Sequence, residues 1–126
     1  IGEFQVQAAI AALHADAPTF AATDWVQIVE WYDELLNLAD TPIVRLNRAV
    51  AVGQADGPQA GLAALRAIDP TTPRYDAVAA HLHEGNGDLE RAAHMYAAAA
   101  RSAPSVAERH HQARQAARVN QLLAPQ

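Results

Sequence analysis

Asp88-Leu89-Glu90-Arg91-Ala92-Ala93-His94-Met95-Tyr96-Ala97-Ala98-Ala99-Ala100-Arg101-Ser102-Ala103-Pro104, introduced by Asn86-Gly87, is the stretch on which the fold turns. It reads as a helix in which small Ala92 is followed four residues on by Tyr96, three further by Ala99 and five beyond by Pro104. The same steps join Gly61, Leu65, Ile68 and Pro73, and again Ile28, Tyr32, Leu35 and Asp40, with Asp in place of Pro. The copies are offset by 31 and 33 residues. A recurrence in the low thirties marks a helical-repeat solenoid, because a single helix pair cannot bury its apolar face alone and stacks on its neighbours. The spacing has a physical reason: the small residue lets two helices approach closely, and the large one fills the gap beside it.

Working outward, the 126 residues suffice for one domain. Apolar residues make up 51% of the chain, and the excess is Ala, the strongest helix former, which predicts an all-α fold. There is no Cys, so disulfides and Cys-based zinc sites are excluded, as suits a reducing cytoplasm. No apolar run approaches the ~18 residues of a membrane span, and no secretion signal is legible, so no membrane role is expected. The net charge of −5 argues against direct nucleic-acid contact. That charge is polarised: residues 1–40 hold seven acids and no base, whereas residues 91–126 hold five Arg against Glu108. A protein partner can read such an asymmetry through complementary fields.

Seven helices are expected. The first runs from about Phe4 to Asp16, with Val6, Ile10 and Leu13 as its buried stripe, and Asp24 or Thr23 caps a second that buries Trp25, Ile28, Val29, Tyr32, Leu35 and Leu36. Thr41-Pro42 starts a third, with Ile43, Leu46 and Val50 on its core face, ending near Asp56-Gly57. Pro58 opens a fourth that stops at Asp69-Pro70, and a fifth buries Tyr75, Val78, Ala79 and Leu82. Asp88 caps the sixth; Ser105 and Glu108 form a capping box for the seventh, which runs to about Leu123. The helices pair over about 4–39, 42–69 and 74–103, with a cap over 105–123 in a single domain spanning 1–126.

The spacing over residues 73–104 resembles a tetratricopeptide repeat. A more specific resemblance rests on five segments in order: Gln7-Ala8-Ala9-Ile10-Ala11-Ala12-Leu13-His14-Ala15, Thr23-Asp24-Trp25-Val26-Gln27-Ile28, Tyr32-Asp33-Glu34-Leu35-Leu36, Pro42-Ile43-Val44-Arg45-Leu46-Asn47-Arg48-Ala49-Val50-Ala51-Val52 and Asp56-Gly57-Pro58-Gln59-Ala60-Gly61-Leu62. Together they resemble the C-terminal tetratricopeptide-like extension of bacterial extracytoplasmic-function (ECF) RNA polymerase sigma factors. The resemblance implies a right-handed solenoid of three helix pairs plus a capping helix. It also implies that DNA- and polymerase-binding regions lie upstream. The extension would control them by contact with the sigma regions, RNA polymerase or a separate regulatory protein. A free-standing tetratricopeptide adaptor and an all-α small-ligand sensor or enzyme are the rival readings. A cytoplasmic protein, monomeric in isolation, is expected.

Candidate partner-binding residues are Arg45, Asn47 and Arg48 on the third helix, of the kind that lines a solenoid's concave face, and His14 at the end of the first. Asn can hold a peptide backbone, and Arg pairs bidentately with carboxylates. The plainer reading keeps Asn47 bonded to a neighbouring element, the two Arg solvated and His14 at a helix interface. His81 and His83 invite a metal reading, but residues two apart on a helix point away from each other, so neither metal nor cofactor is expected. No Ser/His/Asp order, paired acids in an apolar setting or phosphate loop appears, so no catalytic residue is assigned.

Overall fold

The structure, a computed structural model, describes residues 24–125. The expected first helix, its stripe and His14 lie outside the described residues. Among those described, the chain forms six helices and no strand: α1 (Trp25–Leu38), α2 (Pro42–Asp56), α3 (Pro58–Leu65), α4 (Tyr75–Gly85), α5 (Leu89–Ser102) and α6 (Val106–Leu123). The all-α class therefore stands.

Four helices start where side chains satisfy the otherwise unpaired N–H groups of a first turn. Asp24 Oδ1 accepts from Gln27 N–H at 3.1 Å, Thr41 Oγ1 from Val44 N–H at 3.2 Å, Asp88 Oδ1 from Arg91 N–H at 3.2 Å and Ser105 Oγ from Glu108 N–H at 3.1 Å. Pro42 and Pro58 each occupy a first helical turn, where a missing N–H is harmless. The Ser105 box is only half made: the Glu108 carboxylate reaches across to Arg74 instead. α4 lacks a side-chain cap, and Arg74 before it has a left-handed backbone, φ 69°.

Two expectations need correcting. α3 ends at Leu65, short of Asp69, as the chain tightens through Arg66 N–H to Ala63 and Ile68 N–H to Leu65 bonds. Asp69 precedes Pro70, which disfavours helical backbone there, and the tightened turn still buries Ile68. Ile43, expected in the core, is 54% exposed. The reason is that α2 is buried on two other sides. Leu46 and Ala49 join Leu65, Ile68, Ala79 and Leu82 in one cluster, while Ala51 joins Ile28 and Leu35 in another. Ile43 shares the line of Val50 and Gln54, at i+7 and i+11, and belongs to neither.

A third cluster holds Ala80, Ala92, Ala93, Tyr96, Ala116 and Val119. Consecutive Ala79 and Ala80 thus face different clusters, so α4, like α2, packs on two flanks. The repeated small-large-small positions are buried in both downstream copies: Gly61, Leu65 and Ile68, then Ala92, Tyr96 and Ala99. Trp25, Val29 and Tyr32 are half-buried against the Ile28 cluster. Each helix packs on its neighbours in the chain, and α2 also touches α4.

Candidate interaction site

Alternate helices bring their side chains together along one face. On α2 that face is the line of Ile43, Val50 and Gln54; the Gln54 Nε2 atom lies 3.3 Å from His81 Nε2 on α4. From α4 the contacts continue to α6. Arg74, just ahead of α4, gives Glu108 a two-pronged contact, Nε to Oε2 at 3.1 Å and Nη2 to Oε1 at 2.8 Å. At the other end of α4, Glu84 takes both Arg118 amino groups, at 2.8 and 2.7 Å. Forked pairing of this kind fixes orientation as well as distance.

Glu84 also receives the hydroxyl of Tyr96 at 2.8 Å, so α4, α5 and α6 meet at one carboxylate. Arg118 Nε in turn donates to Gln115 Oε1 at 2.8 Å. Beside this network is a cleft of about 470 Å³ lined by His81, Glu84, Gly85, Tyr96, Gln115 and Arg118. The hydrogen bond from Arg118 holds Glu84 below the usual carboxylate range, against a smaller opposing effect of burial. Burial first, and the bond to Glu84 second, push the Tyr96 hydroxyl up to about 12. Near neutrality the carboxylate stays charged and the phenol stays protonated. The cleft therefore offers amide, imidazole and hydrogen-bonded charge for recognising polar backbone, and the Glu84–Tyr96 pair is not poised for proton transfer.

Of the residues singled out from sequence, Arg45 and Arg48 turn away from this face. Arg45 grips Asp40 through Nε at 2.7 Å and Nη2 at 2.8 Å, and Arg48 Nε reaches Asp33 on α1 at 2.7 Å. The hydrogen bonds from Arg45 hold the Asp40 carboxyl below its ordinary value. Both Arg thereby tie α2 to α1 or to the connection between them. Asn47 is exposed, lies one helical turn from Ile43, and its side chain makes no hydrogen bond among the described residues. It is the one of the three that shares the alternate-helix face. Sequence reasoning missed Ile43, Gln54, Glu84 and Arg118 as its members. The available signal was Tyr96, since a buried tyrosine on an Ala-rich helix needs a partner for its hydroxyl. His81 and His83, two residues apart, line different depressions, and among the described residues no group of three or more potential ligands is placed to hold a metal.

No family model and no solved structure matches the chain. It is similar to an uncharacterized protein of Rhizobium meliloti (strain 1021), with 49% identity over 74 residues. The matched stretch is 59% of this chain and 18% of that protein, so the chain spans less than a fifth of its relative's length. Among the described residues, no helix is long and apolar enough to cross a membrane.

Proposed function

We propose that the chain is a tetratricopeptide-like, right-handed solenoid serving as a non-enzymatic regulatory domain of an ECF sigma factor, active through protein contacts. The observation that carries the solenoid reading is the side-chain contact of α2 with α4 and of α4 with α6 along one face. Stacked helix pairs produce that pattern, because every second helix then lines a common surface. The polar character of α6, in which only Ala116 and Val119 are buried, suits a capping helix. The sigma-factor assignment rests on the five ordered segments from residue 7 to residue 62. A match that fills only 18% of a longer protein fits a module carried within a larger polypeptide.

In this reading the domain works in the cytoplasm, meets the attached sigma regions, RNA polymerase or a regulatory protein, and leaves nucleic acid to the upstream regions. The partner lies on the face of Ile43, Asn47, Gln54 and His81, where an exposed apolar side chain stands among hydrogen-bonding groups. The test has two parts. The reading frame containing this chain is expected to encode, upstream of Ile1, a helix-turn-helix and a polymerase-binding helical region; their absence refutes the sigma assignment. Biolayer interferometry of the purified chain against those regions and against core RNA polymerase is expected to show saturable binding that Ile43→Asp weakens. Binding unchanged in that variant removes the proposed face.

A further inference from the structure

A second depression lies between α3, α4 and α5, apart from the alternate-helix face. It encloses about 350 Å³, with Leu65, Tyr75 and Met95 at its apolar floor and a polar lining in which Arg66, His83 and Arg91 outnumber the one carboxylate, Asp88. Its arginines differ from the others that line the helix contacts. Arg45, Arg48, Arg74 and Arg118 are all engaged with carboxylates at 2.7–2.8 Å. Arg91 stands 3.8 Å from Asp88, whose other oxygen already caps α5, and Arg66 enters no ion pair among the described residues. Two exposed guanidinium groups therefore flank apolar floor with most of their donors unspent.

His83 reports the same field. Burial, and after it the charge of Arg91, hold its imidazole below the ordinary value, with Asp88 opposing them weakly. An anion arriving at this rim relieves that positive potential and finds forked donors to hold it. The volume is at the lower end of the ~300–1,000 Å³ usual for ligand pockets, room for one or two side chains and too little for a docked helix. The occupant that matches both apolar floor and basic rim is an extended peptide carrying an apolar side chain beside carboxylates.

We propose that this groove captures an acidic, leucine- or methionine-bearing segment of a partner protein, its apolar side chain against Tyr75 and Met95 and its flanking carboxylates on Arg66 and Arg91. The proposal rests on the protein-interaction reading but does not need the sigma-factor assignment.

Met95 is the single methionine of the chain, so its methyl group gives one carbon-13 signal that reports on the groove. The probe is a decapeptide of alternating leucine and acidic residues, with a counterpart carrying lysine in place of the acids. The acidic peptide is expected to shift the Met95 signal and the lysine peptide to leave it in place. Affinity for the acidic peptide is expected to fall by about tenfold in R66E/R91E and by less than about threefold in R101E/R114E, an equal change of charge at exposed positions away from the groove. An unmoved Met95 signal, undiminished binding by R66E/R91E, or equal losses in the two double variants overturns the proposal. A separate arm uses the upstream sigma regions. If they bind the wild type while the acidic peptide leaves the Met95 signal unmoved, the groove is refuted while the interaction reading survives. If they fail to bind even the wild type while the acidic peptide behaves as expected, the sigma reading falls and the groove remains.

Discussion

Gly61 sits where α3 meets α2, and a Cβ there would stand 2.7 Å from Leu82 Cδ2, 3.0 Å from the Ala49 carbonyl oxygen and 3.1 Å from Gly53 Cα. Two of those three neighbours are backbone and cannot swing aside. Gly61→Ala is expected to destabilise by ~1–3 kcal/mol through overpacking. At Gly53 the one tight neighbour is the end of the Leu82 side chain, at 2.5 Å, so Gly53→Ala is expected to cost less. Its helical backbone gains ~0.5–1 kcal/mol from the loss of glycine's freedom. Urea titration of the two variants measures the order; equal losses would mean that the α2–α3 approach is looser than the structure shows. Tyr96 supplies a prediction in pH. Its hydroxyl ionises at about 12 in the fold against 10.0 ordinarily, so the stability it adds is whole below pH 10 and is lost as pH rises toward 12. Tyr96→Phe is expected to lose ~1 kcal/mol at neutral pH, because Glu84 keeps Arg118 as a partner, and to fall less steeply than wild type above pH 10. Parallel melting curves from neutral to strongly alkaline pH would refute this. Glu84 acts in the opposite window. Its carboxyl is held below the ordinary value of 4.5, so its contribution is whole above that pH and is lost on acidification. Glu84→Gln is expected to flatten the acid limb of a stability–pH profile measured by thermal melts.

At the scale of elements, the junctions carry the information. Gly57 joins α2 to α3 with φ 102° and ψ 160°, a region that only glycine enters without strain. Gly57→Ala is expected to destabilise by ~1–3 kcal/mol although nothing crowds the site, and a chemical-denaturation midpoint equal to wild type would contradict that. Junction chemistry is also what made the elements readable in advance. Asp24, Thr41, Asp88 and Ser105 are local caps that need only residues three positions on, and all four act as such. Sequence fails where a distant group competes. Glu108 was expected to close a box on Ser105, but Arg74, 34 positions away, takes its carboxylate. The end of α3 is not legible in the sequence because Ile68 looks helical by spacing, whereas a tightened turn buries it equally well. The double-sided burial of α2 is not legible in the sequence because alanines at 49 and 51 carry no hydrophobic pattern of their own. The candidate site was legible only in part. Arg45 and Arg48 had the right chemistry, but acids at Asp40 and Asp33 claim them, and a linear reading cannot see which charges meet.

Over the whole molecule, the described core divides into three clusters whose buried members are distinct, strung along the helices in chain order, with Met95 packed against both the second and the third. If the helix pairs stack as proposed, stability approximates a sum of local terms. Ile28→Val removes a methylene from the first cluster at ~0.5–1.5 kcal/mol, and Val119→Ala, which removes two carbons from the third, costs about twice that. The double variant is expected to lose the sum to within ~0.5 kcal/mol, read from urea melts; a coupling much above that would show that the clusters communicate.

This division has a mechanical corollary. In the proposed solenoid, a pull on the two ends of the stack loads the clusters one after another, and the leucine-rich second cluster interlocks larger side chains than the alanine-rich third. Under tension in an optical trap, such a stack is expected to yield in more than one step, and a single cooperative rupture would contradict the division.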